Sequence, residues 1–347
     1  MINKDSKNIT DYIIKEVGET IVSQNLIEDN DKIVVAVSGG PDSITLLDVL
    51  VKLKRELNIN YEIIVAHVNH MIREESEEEK VYVENMCKKY GVEFNYLKTD
   101  VKKISKMKKI SEEMAGRDER YRFFDELLNK KSANKIVVAH NLDDNAETVL
   151  LNIIRGTGIK GLSGMQYKNG NIIRPLLNIK KCDILLYTEE NHLNPCFDKT
   201  NNENVYLRNK IRNILIPELK SEYNSNIVQN IIRMSKLLCI DDSFLEEYTK
   251  GILDNTIIAK EDKSITFNFS HFDKTHEAIN RRYVRCLLSD LDLLDGIQNV
   301  NIEDILELLN KNIKGKKYIK KGKFEVVILK KNVAKIFVGE EIWRKEV

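Results

Sequence analysis

The apolar run Ile33 to Val37 passes straight into Ser38-Gly39-Gly40-Pro41-Asp42-Ser43 and then into an apolar helical stretch at residues 44–57. A strand that gives way to a helix within six residues, with two glycines at the turn, commits the segment to a strand-loop-helix unit whose backbone can approach a ligand closely. The N–H groups opening such a helix, with its dipole, favour an anion, and Ser38 and Ser43 add hydroxyl donors. The loop closes with Asp42-Ser43 and not with Gly-Lys-Ser/Thr, which excludes the lysine-bearing P-loop of kinases and GTPases. A carboxylate beside bound phosphates repels them unless a cation lies between. The loop therefore reads as a phosphate site and Asp42 as a Mg2+ ligand.

Strand-like apolar runs recur at residues 62–67, 93–97 and 135–140, alternating with helical patterns at 74–90, 111–131 and 145–155. This series predicts a doubly wound, mainly parallel α/β sheet with ligands at the carboxyl ends of its strands. Three of those ends are polar: residues 38–43, His67-Val68-Asn69-His70, and His140-Asn141-Leu142-Asp143-Asp144. Asp143 and Asp144 are candidates to join Asp42 at the metal, with capping of the next helix as the alternative reading. His140 is placed to orient a phosphate or take a proton. The glycine-rich stretch from Arg155-Gly156-Thr157-Gly158 to Gly164 reads as a loop able to lie against a ligand, or as a plain turn. Arg208 and Arg212, four apart on one helical face, either bridge to carboxylates or grip a phosphate.

At 347 residues the chain is long enough for two domains, set at 1–218 for the α/β part and 219–347 for a mainly helical part. Helices are expected there at 221–239, 241–253 and 276–288, with a small strand-bearing end. The net charge of +1 conceals a segment from Lys311 onward with twelve Lys or Arg against four Glu, about +8 by itself. That is either a solvated surface or a face for a polyanion. Five cysteines, Cys87, Cys182, Cys196, Cys239 and Cys286, are scattered and never form Cys-x-x-Cys, which argues against zinc, an iron-sulfur cluster or a disulfide framework and for a reducing cytoplasm. The N-terminus is polar and no apolar run approaches the roughly 18 residues of a membrane span, so neither a signal peptide nor a membrane segment is expected.

The opening loop resembles the pyrophosphate loop, or PP-loop, of the N-type ATP pyrophosphatases, which cleave ATP between the α and β phosphates to adenylate a substrate. Further motifs narrow the resemblance. His67-Val68-Asn69-His70-Met71-Ile72-Arg73, Glu113-Met114-Ala115-Gly116-Arg117-Asp118-Glu119-Arg120-Tyr121 and Ala139-His140-Asn141-Leu142-Asp143-Asp144-Asn145-Ala146-Glu147-Thr148 come first in order. Arg155-Gly156-Thr157-Gly158, Ile173-Arg174-Pro175-Leu176-Leu177 and Arg208-Asn209-Lys210-Ile211-Arg212 complete a set that is similar to the tRNA(Ile)-lysidine synthetase family. One departure stands out: the family usually carries His-His-x-Asp-Asp, and Asn141 takes the place of its second histidine.

The resemblance implies ATP at Ser38, Gly39, Gly40, Pro41, Asp42 and Ser43, with His67, Arg155 and Gly156 also at the nucleotide. It implies Mg2+ on Asp42, Asp143 and Asp144. Asp42, His140 and Asp144 would carry the chemistry, one of Arg117 and Arg120, three apart on one helix, would stabilise an adenylated intermediate while the other makes an exposed ion pair, and Arg208 and Arg212 would serve the tRNA substrate. The implied reaction adenylates O2 of the wobble cytidine in a tRNA(Ile) with a CAU anticodon. Free L-lysine then attacks C2 through its ε-amine, giving lysidine, AMP and pyrophosphate. A homodimer is kept open as the assembly. Two alternatives remain: a non-catalytic tRNA-binding or nucleotide-sensing PP-loop protein, and a different PP-loop tRNA-modifying enzyme.

Overall fold

The structure, a computed structural model, describes residues 8–56, 59–71, 76–196 and 206–339. Ile72 and Arg73 of the His67 motif and the acidic and basic end beyond residue 339 lie outside the described residues. The chain divides into two compact units, residues 1–238 and 239–347.

In the first unit, strands β1 (Asp31–Ala36), β2 (Tyr61–Asn69), β3 (Glu93–Lys98), β4 (Lys135–Val137), β5 (Lys168–Asn169) and β6 (Ile172–Ile173) make one sheet in the order β3-β2-β1-β4-β6-β5. All neighbours are parallel except β5, which pairs antiparallel with β6 at the edge. The helices are α1 (Ile9–Ser23), α2 (Pro41–Glu56), α3 (Ser76–Tyr90), α4 (Val101–Lys108), α5 (Glu112–Lys131), α6 (Leu142–Arg155), α7 (Ile159–Leu162) and α8 (Lys181–Glu190). Successive side chains of a strand point to opposite faces, and here both faces are covered. Ile33 and Val35 of β1 pack in a cluster with α1, α2 and α8, whereas Val34 packs with Phe123, Phe124 and Leu127 of α5. That is why β1 reads as an unbroken apolar run and why the expected doubly wound sheet forms.

Two contacts fix the helices that flank the loop. Asp48 of α2 is buried and accepts from Tyr187 of α8 at 2.5 Å and from Tyr90 of α3. Lys52 completes the knot, 2.8 Å from Asp48 and 2.6 Å from Asn191. Burial and the neighbouring Asp48 carboxylate push the Tyr187 hydroxyl well above its usual pKa, so it remains a donor. A helical segment then runs through α9 (Leu207–Lys210) and α10 (Ile216–Glu218), each followed by a π-helical turn, Ile211–Leu215 and Leu219–Tyr223.

Helix α11 (Ile227–Thr256) contains the division between the units and is continuous where two helices had been expected. The Asp241-Asp242 pair does not break it, because Asp242 is buried and bonded to Arg282. The second unit also holds α12 (Glu277–Ser289) and α13 (Asn299–Lys311), together with an antiparallel sheet of β7 (Ile257–Glu261), β8 (Ser264–Asn268), β9 (Lys317–Lys320), β10 (Phe324–Lys330) and β11 (Val333–Val338) in the order β7-β8-β11-β10-β9. The strands are thus not confined to the chain's end. Ile265 and Phe267 alternate into a core with Tyr283, Leu287, Ile305 and Phe324. β9 is an edge strand carrying Lys317 and Lys320, a placement that also discourages strand pairing with other chains.

Candidate active site

Ser38 to Ser43 join β1 to α2, and the loop is braced from within. Ser43 Oγ accepts from Ser38 N at 3.1 Å and donates to Gly40 O at 3.0 Å. Gly39 has φ +96°, a conformation that side-chain-bearing residues rarely adopt, and its carbonyl accepts from Cys196 N at 3.0 Å. Pro41 opens α2, where its missing N–H costs nothing. The remaining N–H groups of the helix opening form the anion-favouring end.

Asp42 faces two partners from elsewhere in the chain. Lys181 Nζ at the start of α8 lies 2.6 Å from one carboxylate oxygen, and Asn141 Nδ2 donates to the other at 3.0 Å. Asn141 is 2 % exposed and uses its remaining polar groups as the cap of α6. Its Oδ1 accepts from Asp144 N at 3.0 Å, while its own N–H donates to Asp144 Oδ2 at 3.1 Å. A single amide therefore links Asp42 to Asp144. Asp143 points differently: it accepts from Lys181 N at 2.8 Å, closing the first turn of α8, and has Lys220 Nζ at 3.9 Å.

Glu147, one turn beyond Asp143 on α6, has a side chain only 3 % exposed and is clasped by the two arginines of the 208–212 motif. Arg212 Nε sits 2.5 Å from Oε1, Arg208 Nε sits 3.0 Å from Oε2, and Arg212 Nη2 reaches Asp144 Oδ1 at 2.9 Å. Of the two readings open for Arg208 and Arg212, the structure has them bridging to carboxylates. The surrounding acids hold the Arg212 guanidinium above its usual pKa.

His140 lies three residues past β4, with Nδ1 accepting from Arg174 Nε at 3.2 Å, so its proton sits on Nε2. Burial, then Arg174, Arg208, Arg117 and Arg120, push the imidazole down to about 3. Its neighbours are a ring of cations, which suits an anion and makes His140 a weak base. Between pH 3 and the ordinary value of 6.5 the unfolded chain binds the proton that the folded one refuses, so stability rises with pH across that window. Lowering the pH from 7 to 4.5 should reduce the urea midpoint, and His140→Gln should shrink that reduction. An identical reduction in the variant would show that His140 takes up no proton on unfolding.

Other expected residues take different places. His67 is 1 % exposed, stacks on Tyr96 and donates from Nδ1 to Val37 O at 2.8 Å. It braces the backbone entering the loop. Arg155 and Gly156 end α6, whose N-cap is at the site; fourteen residues of helix separate the two ends by about 20 Å. They are not gathered with the loop, because the glycine-rich segment follows a helix that leads away from it. Arg117 lies over the Tyr121 ring at 4.8 Å, and Arg120 donates to His70 Nε2 at 3.3 Å, both on α5. Lys181, Glu147 and Arg174 had received no role from sequence.

Among the described residues no three His, Cys, Asp or Glu side chains are gathered as a metal cage. Asp42 and Asp144, oxygen donors on two elements joined through Asn141, suit a hard cation that takes its other ligands from phosphate and water. They do not suit a thiolate metal. No helix among the described residues is long and apolar enough to cross a membrane.

A family model described as "PP-loop domain" matches residues 10–219. The chain is similar to the tRNA(Ile)-lysidine synthase of Caldanaerobacter subterraneus subsp. tengcongensis, 41 % identical over 301 residues, covering 86 % of this chain and 64 % of the relative. It is 39 % identical to that of Clostridioides difficile over 341 residues, covering 96 % of this chain and 72 % of the relative. It is 46 % identical to that of Clostridium acetobutylicum over 241 residues, covering 69 % and 52 %. The chain thus spans between half and three quarters of these relatives' length. Among solved structures, the U34-tRNA thiolase of Methanococcus maripaludis shares the fold, with a TM-score of 0.54, 22 % identity, and coverage of 66 % of this chain and 80 % of that one.

Proposed function

Since the chain belongs to the PP-loop family, and within it to the tRNA(Ile)-lysidine synthases, we propose that it adenylates the wobble cytidine of a CAU-anticodon tRNA(Ile) with ATP and then joins free L-lysine to C2 of that base. The observation that carries the reading is the convergence of the loop, Asp42, Asn141, Asp144 and His140 at neighbouring strand ends of one sheet. Adenylation forms a bond from cytosine O2 to the α-phosphorus and breaks the bond to the bridging oxygen, whose electron pair leaves with pyrophosphate. The loop N–H groups hold the departing anion, and the cations around His140 offset the charge on the phosphates.

Asp42 and Asp144 would hold Mg2+, which supplies neutralising charge to the phosphates. His140, neutral and protonated on Nε2, donates to a phosphate oxygen in preference to taking a proton. In the second step the ε-amine attacks C2 and AMP leaves. That amine has an ordinary pKa near 10.4 and must be neutral to attack, so holding it against C2 matters more than its concentration in water. The anticodon loop offers unstacked bases that a pocket can read, and the exposed lysines of α4, with Lys317 on β9, are basic groups for stem phosphates. On this reading the enzyme meets its tRNA in the cytoplasm.

The test is incorporation of labelled lysine into a tRNA(Ile) transcript with a CAU anticodon, with ATP and Mg2+ present. Incorporation that vanishes without ATP, or when the wobble cytidine is changed, is the expected result. Folded protein that releases no pyrophosphate and incorporates no lysine would sink the proposal.

A further inference from the structure

The loop has no lysine of its own, yet one stands at its mouth, contributed by a residue 139 positions away. We infer that Lys181 is a phosphate-contacting catalytic residue for the β and γ phosphates of the nucleotide, doing from α8 what the internal lysine does in Gly-Lys-Ser/Thr loops. This rests on the ATP-pyrophosphatase reading of the loop.

Three observations carry it. The backbone of Lys181 is fixed, because its N–H donates to Asp143 at 2.8 Å and Leu142 N donates to Ile179 O at 2.9 Å, tying the start of α8 to the start of α6. Its side chain, in contrast, is 37 % exposed, and among the described residues its tip meets Asp42 Oδ2 at 2.6 Å. Asp42 is the second residue of α2, so the ammonium already lies beside the loop N–H groups that favour an anion. A flexible stem on a fixed base carries a compact charge with three donors, which can pass from a carboxylate to a nearby phosphate by rotation alone.

Lys181 pairs with Asp42. A bound triphosphate would offer the ammonium its outer phosphates by rotation of the side chain, and Asp42 would then be available to hold Mg2+, which supplies neutralising charge. As the bond between the α and β phosphates breaks, the bridging oxygen keeps the electron pair and the positive charge of Lys181 meets it, with no proton transferred. AMP has neither of these outer phosphates. Lys181 should therefore distinguish ATP and pyrophosphate from AMP.

The experiment is calorimetric titration of the full chain with ATP, pyrophosphate and AMP, in Mg2+ and without tRNA, for the unaltered protein, Lys181→Met and Lys181→Arg. Expected for Lys181→Met is at least a tenfold loss of affinity for ATP and for pyrophosphate, with AMP within twofold, and recovery of most of the loss in Lys181→Arg. Equal weakening of AMP, or unchanged binding of ATP and pyrophosphate, would reduce Lys181 to a counter-ion of Asp42 and overturn the inference. If the reading of the loop itself fails, the unaltered protein binds neither ATP nor pyrophosphate, a different outcome.

Discussion

Glu147→Ala should destabilise the protein by about 3 kcal/mol, the lower end of the cost of removing one partner from a buried ion pair. The carboxylate is 3 % exposed and accepts from both Arg208 and Arg212, at 2.5 to 3.0 Å. Its loss leaves two guanidinium groups facing a hole lined by α6. Both arginines are about a third exposed, so water offsets part of the penalty, and the upper end of the range is not expected. The clasp also ties the 208–212 segment to α6, and Arg212, with Asn141, orients the Asp144 carboxylate. Pyrophosphate release should therefore fall along with stability. Urea unfolding checks the first part and a tRNA-dependent pyrophosphate assay the second. A loss under about 0.5 kcal/mol would place the clasp with ordinary surface ion pairs.

Asp42→Asn should do the opposite, leaving the fold intact and removing the chemistry. An Asn at this position can still accept from Asn141, and the Lys181 ammonium, being exposed, loses little when its partner becomes neutral. What disappears is the charge that would hold a cation against the phosphates. Pyrophosphate release should drop on the order of 10²–10³-fold, the range found when one preorganised electrostatic group is removed from an active site. The melting temperature should stay close to that of the unaltered protein. A drop smaller than about tenfold in single-turnover pyrophosphate release would take Asp42 out of the reaction.

The parts of the site legible in sequence are those in which chemistry and chain order coincide. Loop 38–43 could be read because strand, glycines, carboxylate and helix are contiguous, and Asp144 because it follows a strand end and opens a helix. Pairings between distant segments could not. Nothing local to Lys181 points to Asp42, and nothing local to Arg208 singles out Glu147, 61 residues earlier. A weak signal existed for Glu147: it stands one turn from Asp143 and Asp144, on a face that the helical period carries back toward them. Arg155 and Gly156, which the resemblance implies at the nucleotide, stand at the far end of α6 from its N-cap, because the helix carries them off along its length. In the second unit the alternation Ile265, Phe267, Phe269 was a strand signal that helical patterns on either side obscured.

Asn141 had been a departure from a family pattern without a stated role. The structure gives it one that an imidazole fills less completely: one amide caps a helix through its oxygen and holds a carboxylate through its nitrogen. The amide itself carries no charge to lose or gain.

The knot of Asp48, Tyr90, Tyr187 and Lys52 has a kinetic meaning. It joins α2, which begins at the loop, to α8, which begins at Lys181, by hydrogen bonds near the middle of both helices. The two helix openings are thereby parts of one rigid body, and no search of one for the other precedes each turnover. Lys181 is presented to the loop at a permanently high local concentration, with the entropy of bringing charge and loop together spent once, when the chain folds.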